Sequence, residues 1–166
     1  LPVCKVRHVA YSTFAILRLT AEGKAQLTEF DCPNCIYMHE GVVYPLEYTE
    51  REVGGKTIKE AAFDLEVGDS LTLMSDGVIY AGIGELMNLG WNWESVSDFL
   101  QDNYHAESSS ARMTAELIGA CKDLYMGKPG DDTTVLVAKV LAHKVVNLFS
   151  GPPQFTIDFN LCLVKI

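Results

Sequence analysis

Short β-type runs separated by turn residues fill the first 74 residues, and this pattern most restricts the folds open to the chain. The runs are Tyr11 to Leu19, Lys24 to Phe30, Ile36 to Met38, Val42 to Leu46, Thr57 to Leu65 and Ser70 to Met74. Sequential strands joined by short turns favour antiparallel pairing. Arg51 to Lys56, which contains Gly54-Gly55, is interpreted as a flexible loop.

The second half of the chain predicts helices followed by a last strand. The predicted elements are helices over Trp93 to Gln101 and Ser108 to Met126, and a strand over Thr133 to Lys139. In the longer helix Met113, Leu117, Cys121 and Leu124 form an apolar stripe at helical spacing, which favours core packing. Strands early and helices late predict an α+β layered sandwich.

The C-terminal segment carries a separate strand pattern. After Gly151-Pro152-Pro153 marks a break, apolar residues from Phe155 to Leu163 alternate with polar ones. This strand is expected either to join a sheet edge of the same chain or to pair with another chain, because a bare apolar edge favours aggregation. The second alternative predicts a homo-oligomer formed through this segment.

Composition limits the partners. The chain has 166 residues, of which 48% are hydrophobic and 21% charged, as expected for one globular domain. Its net charge of −9 argues against nucleic-acid binding, which depends on Lys and Arg neutralising phosphates. Neither a signal peptide nor an apolar stretch of roughly 18 residues is found, so no membrane partner and a cytoplasmic location are expected.

Cysteine and histidine give little support to a zinc or redox site. The five cysteines, an odd number, favour a reducing compartment. Cys32-Pro33-Asn34-Cys35 is compatible with a redox pair or half of a zinc site, but without a second Cys-x-x-Cys a tight hairpin turn is favoured. Histidines with surface or satisfied roles are predicted at four isolated positions: His8, His39, His105 and His143.

Two acidic motifs lie at the ends of apolar runs. Met74-Ser75-Asp76-Gly77 closes one strand and Gly130-Asp131-Asp132-Thr133 opens another. Each alone is compatible with an ordinary turn or a solvated loop. Asp76 and Asp131 are 55 residues apart (131 minus 76), with helical sequence between them that can return the chain to the same sheet. Their carboxylates suit Mg²⁺ or Mn²⁺, and we interpret them as two halves of one metal site.

The residues around these motifs carry a family resemblance. The runs from Leu65 to Val78 and from Pro129 to Val137 resemble the C-terminal half of a PPM (type 2C) metal-dependent serine/threonine phosphatase, most closely the stage II sporulation protein E branch. The resemblance covers about residues 11 to 140. It implies two stacked antiparallel sheets flanked by helices, with metals in a cleft at one edge. Residues 1–140 would form the C-terminal portion of that domain, and residues 141–166 an extension.

The resemblance also implies an activity. Asp76 and Asp131 match the family's catalytic metal ligands, whereas Asp132 matches a position that orders the loop. The implied reaction is hydrolysis of phosphoserine or phosphothreonine on a phosphoprotein, in bacterial regulatory signalling, by a water that bridges two Mn²⁺ or Mg²⁺ ions. Two cations can make hydroxide from water near neutral pH, so no side-chain nucleophile is needed.

One family motif is missing. Members carry a further Asp-Gly nearer the N-terminus, whose aspartate bridges the metals, and no such motif precedes Tyr11. We therefore expect the domain to lack its N-terminal part, as a fragment, as a portion of a larger chain or as a natural short form. Residues 1–166 alone are expected to hydrolyse little. The alternative function is a non-catalytic phosphatase-like module that binds a partner, and an upstream Asp-Gly in the full gene product would discriminate the two.

Overall fold

The computed structural model describes residues 13–20, 22–83, 90–127, 132–142 and 155–164. In chain order its elements are β1 (Phe14–Leu19), β2 (Lys24–Phe30), β3 (Ile36–His39), β4 (Val42–Tyr44), β5 (Thr49–Val53), β6 (Lys56–Asp64), β7 (Asp69–Met74), α1 (Asp76–Ile79), α2 (Trp93–Asp102), α3 (Ser110–Leu124), β8 (Thr133–Ala142) and β9 (Phe155–Val164). None of these helices combines the length and the apolar character that crossing a membrane requires.

The strands form two antiparallel sheets, which confirms the predicted α+β sandwich. Sheet A has the order β1-β2-β6-β5, and sheet B has the order β4-β3-β7-β8-β9. Alternation along β8 explains how sheet B is covered, since Val135 and Val137 belong to a core with α2 and α3 whereas Ala138 and Val140 belong to a core shared with sheet A. Sheet B is thus covered on both faces, and all six residues of its middle strand, β7, are buried.

The segment from Arg51 to Lys56 was predicted as a loop, and this prediction is wrong. β5 pairs with β6 in a hairpin whose two-residue turn is Gly54-Gly55, with φ of 59° and 74°. Every residue of β5 is exposed, so the strand carries no alternating apolar signal. The two glycines were the sequence signal that could have indicated this hairpin, because a two-residue turn of this kind needs positive φ at both positions.

The β3–β4 hairpin and the helix α3 follow their predicted patterns. β3 and β4 form the expected hairpin around Glu40-Gly41, where both residues have positive φ, and β1 begins at Phe14 in the described residues. α3 begins after Ser109, whose Oγ accepts a hydrogen bond from the Arg112 amide at 3.2 Å. The predicted stripe on α3 is buried at Met113, Leu117 and Cys121.

The Cys32-Pro33-Asn34-Cys35 segment is not a hairpin turn. It connects β2 of sheet A to β3 of sheet B, so the chain changes sheets at this point. Burial raises the pKa of the Cys32 thiol and raises that of the Cys35 thiol further. Raised values disfavour the thiolate that redox exchange and metal ligation require.

β9 is an edge strand of sheet B. It pairs with β8 along ten residue pairs, from Thr133↔Val164 to Ala142↔Phe155. Asp158 fixes it to the start of α3, because its Oδ2 accepts hydrogen bonds from the Ser110 amide at 2.9 Å and the Ser110 hydroxyl at 2.7 Å. These contacts correspond to the intramolecular alternative for this segment, and oligomer formation through it stays a prediction.

A buried carboxylate fixes the connection between β6 and β7. Asp69 is fully buried, and its Oδ1 lies 2.6 Å from His39 Nδ1 and accepts a hydrogen bond from Tyr37 Oη at 3.1 Å. Its Oδ2 accepts from the Glu66 amide at 2.7 Å. The predicted satisfied role is therefore confirmed for His39. The hydrogen bond to Asp69 raises the pKa of His39 above its ordinary value of 6.5.

This histidine predicts a pH dependence of stability. Because the folded-state pKa of His39 is raised, its stabilising contribution is fully present below pH 6.5 and is lost as the pH rises through the raised value. In urea titrations, the difference in unfolding midpoint between the wild type and His39→Gln should therefore be larger at acidic than at alkaline pH. An equal difference at both pH values would contradict an ion pair between His39 and Asp69.

Candidate functional site

The two acidic motifs meet where β7 ends and β8 begins. These strands are antiparallel neighbours, with Met74 opposite Val135. The Ser75 amide donates to the Thr134 carbonyl at 3.0 Å, and the Ser75 hydroxyl donates to the Asp132 carbonyl at 3.1 Å. The Thr134 amide donates in turn to Ser75 Oγ at 2.9 Å. The segment around Asp76 is therefore attached directly to the segment around Asp132.

Gly77 allows this close approach. A Cβ at this position would lie 2.5 Å from the Asp132 carbonyl oxygen and 3.0 Å from Thr133 Oγ1, which is closer than a side-chain carbon can pack. Gly77 lies in the helical turn α1 and does not have positive φ. The glycine of this Asp-Gly pair is therefore required by packing between the two motifs.

The two predicted site residues differ in what the structure describes. Asp76 is the first residue of α1, its side chain is exposed, and its Oδ1 accepts a hydrogen bond from the Gly77 amide at 3.1 Å. Asp131 lies outside the described residues, and the described neighbour Asp132 is exposed. The structure thus brings the two motifs together through Asp132, and the position of the Asp131 carboxylate stays a prediction.

Asp76 lines a cavity of about 1020 Å³, whose wall also includes residues from strands of sheet A. Ile79 and Tyr80 continue the wall after Asp76, and Trp93 at the start of α2 adds an aromatic ring. Sheet A contributes Lys59 from β6. A cleft of this volume lies at the upper end of the range of ligand pockets and can accept a side chain of a bound protein.

Asn34 links the walls of this cavity. Its side-chain oxygen accepts a hydrogen bond from Lys59 Nζ at 3.0 Å, and its backbone carbonyl accepts one from Trp93 Nε1 at 2.9 Å. The segment that carries Asn34 changes sheets, so these contacts connect β6 to the beginning of α2. The interpretation of this segment as a turn missed that role.

Glu29 is a buried acid in the same wall. Only 1% of the residue is exposed, and its Oε1 accepts a hydrogen bond from the Cys35 amide at 2.8 Å. Burial raises the pKa of Glu29, although Tyr48 and Lys59 act in the opposite direction. The sequence did contain a signal, because Glu29 continues the inward positions Ala25 and Leu27 of β2.

The described residues provide one ligand of the predicted metal site. Among the parts of the chain that the structure describes, no three His, Cys, Asp or Glu side chains form a group that could hold a metal ion. The exposed carboxylate of Asp76 offers oxygen ligands of the type that Mn²⁺ and Mg²⁺ prefer. The donor chemistry fits these cations, and Asp131 is the predicted second ligand.

Comparisons with known proteins agree with this architecture. The family model of stage II sporulation protein E (SpoIIE) matches residues 4–141. The phosphatase domain of the cell fate determinant SpoIIE from Bacillus subtilis, in a structure described as Mn presoaked, matches with a TM-score of 0.64 and 16% identity, covering 82% of this chain and 60% of that chain. A second structure of the same domain matches with a TM-score of 0.64 and 17% identity, covering 88% of this chain and 65% of that chain.

The chain spans less than two thirds of either solved domain, and at such low identity the likeness concerns the fold. No curated protein sequence matches the chain.

Proposed function

Because the chain belongs to the stage II sporulation protein E family, we propose that it forms part of a metal-dependent protein phosphatase acting on phosphoserine and phosphothreonine. The observation that carries the proposal is the packing of Asp132 against Ser75 and Gly77, which joins the two acidic motifs at the cavity lined by Asp76. We place the activity in cytoplasmic regulatory signalling in bacteria.

The residues have separate roles in this proposal. Asp76 and Asp131 hold Mn²⁺ or Mg²⁺. When bound, these cations lower the pKa of a water and neutralise charge on the phosphoryl oxygens. Asp76 is oriented by its position after β7 and by the Gly77 amide. Ser75 holds Asp132 and Thr134 at the start of β8, and the cavity receives the phosphorylated side chain.

Cysteine chemistry is not part of the proposal. Cys32 and Cys35 line the same cavity, but burial raises the pKa of both thiols. A thiol held in its protonated form is a poor nucleophile towards a phosphate ester. The attacking group assigned here is therefore water.

The test is phosphate release by the full-length polypeptide. With Mn²⁺ present, it should release phosphate from phosphoserine and phosphothreonine peptides and leave a phosphotyrosine peptide largely intact. EDTA should stop the release, and Mn²⁺ added in excess should restore it, because water activation depends on the cation. Turnover that persists in EDTA would contradict the proposal, and an absence of turnover would favour the non-catalytic alternative.

A further inference from the structure

Lys59 places a positive charge on the cavity wall that sheet A supplies. It lies on β6, it is half-buried, and its side chain lines the cavity that Asp76 lines from the sheet B side. Its ammonium group donates to Asn34 Oδ1 at 3.0 Å and lies 6.0 Å from the centre of the Tyr48 ring. These two contacts restrict the long side chain, so the charge has a defined position.

Within the described parts of the chain, no carboxylate forms a direct ion pair with the ammonium group of Lys59. Glu29 is its cross-strand neighbour in the β2–β6 ladder, but the Glu29 Oε1 atom accepts from the Cys35 amide.

The positive charge of Lys59 contrasts with the negative net charge of the chain. The chain carries a net charge of −9, which disfavours the approach of an anionic substrate. Among the described residues that line the cavity, the cationic side chains are those of Lys56 and Lys59. Lys56 is exposed at the end of the β5–β6 hairpin, whereas Lys59 lies deeper in the sheet.

We propose that Lys59 is a phosphate-binding residue, which holds the phosphoryl group of the substrate in the cavity that contains Asp76. Of the three N–H donors of an ammonium group, one is used by Asn34 in the described contacts, so donors remain for phosphoryl oxygens. The inference rests on the proposed function for the identity of the substrate. It adds a cationic side chain of sheet A to a site that the acidic motifs define on sheet B.

The test measures binding of inorganic phosphate to the full-length polypeptide by isothermal titration calorimetry in the presence of Mg²⁺. Lys59→Met should weaken phosphate binding by about tenfold or more, because a charge-assisted hydrogen bond is lost, and Lys59→Arg should retain most of the affinity. Lys24→Met is the matched control, since Lys24 lies on β2 of the same sheet and its exposed ammonium group pairs with Asp64 outside the cavity. This control should bind phosphate as the wild type does.

Binding of Mg²⁺ and urea unfolding are measured on the same variants. Unchanged Mg²⁺ affinity and folding in Lys59→Met, together with weaker phosphate binding, would support the inference. Equal phosphate affinity in Lys59→Met and Lys24→Met would overturn it, as would a wild type that binds no phosphate.

The two proposals can fail separately. Metal-dependent turnover that is insensitive to Lys59→Met, with an unchanged KM for a phosphopeptide, would leave the proposed function standing and remove Lys59 from it. Phosphate binding that depends on Lys59 in a protein without turnover would support the anion site and contradict the phosphatase.

Discussion

Asp76→Asn is expected to reduce Mn²⁺-dependent phosphate release by about 10³-fold or more while leaving the fold intact. The substitution keeps the size of the side chain and removes the negative charge that binds the cation. Loss of several kcal/mol of transition-state stabilisation corresponds to a rate decrease of this order. Asp76 is exposed, and an amide oxygen can still accept the hydrogen bond from the Gly77 amide, so the local structure is retained.

The measurement is kcat at saturating Mn²⁺ in the full-length polypeptide, together with the urea midpoint of each variant. Asp131→Asn should show a loss of similar size. Asp98→Asn is the matched control, because Asp98 is an exposed carboxylate on α2 outside the cavity lining. Wild-type rates in Asp76→Asn, or an equal loss in Asp98→Asn, would remove Asp76 from the metal site.

Gly77→Ala is expected to destabilise the folded protein by about 1–3 kcal/mol, the usual cost of overpacking a close contact. The added Cβ would lie 2.5 Å from the Asp132 carbonyl oxygen and 3.0 Å from the carbonyl carbon, so backbone must move. That movement separates the two acidic motifs, and activity should therefore fall as well. Tyr125, which donates to the Gly77 carbonyl at 2.7 Å, limits how far α1 can shift.

Gly119→Ala provides the comparison for this prediction. Gly119 lies within α3, and among the described residues nothing beyond its chain neighbours and the backbone of the same helix lies within 4 Å of an added Cβ. Alanine favours the helix over glycine, so this variant should be stabilised by about 0.5–1 kcal/mol. Urea unfolding of both variants measures the two effects. A Gly77→Ala protein as stable as the wild type would show that the contact with Asp132 is not tight.

Part of this architecture can be predicted from local sequence patterns. The apolar stripe on α3 reports which face of the helix is buried, and the structure confirms it. β5 lacks such a pattern, because every residue of this edge strand is exposed and no buried face is marked by apolar residues. Its assignment depended on pairing with β6, which is a contact between segments.

The candidate site, like the fold, could be predicted only in part from the sequence. The acidic motifs were identified from residue type and position at strand ends, and their contact through Ser75 and Asp132 follows from the pairing of β7 with β8. The cavity residues Glu29 and Lys59 were not identified. Lys59 appears in the sequence as an ordinary charged residue in a strand. Glu29 continues the inward positions of β2, but its neighbours at the cavity include residues from distant segments.

The sequence by itself determined the strand-rich α+β class, the long helix, the acidic pair and the family resemblance, because all of these depend on residue type and short-range spacing. Only the tertiary structure decided that Cys32 to Cys35 connects two sheets, that Gly77 is required by the Asp132 backbone, and that Lys59 and Asp76 line one cavity. The physical reason is that periodicity specifies which face of a strand is buried, whereas long-range packing decides what lies against that face.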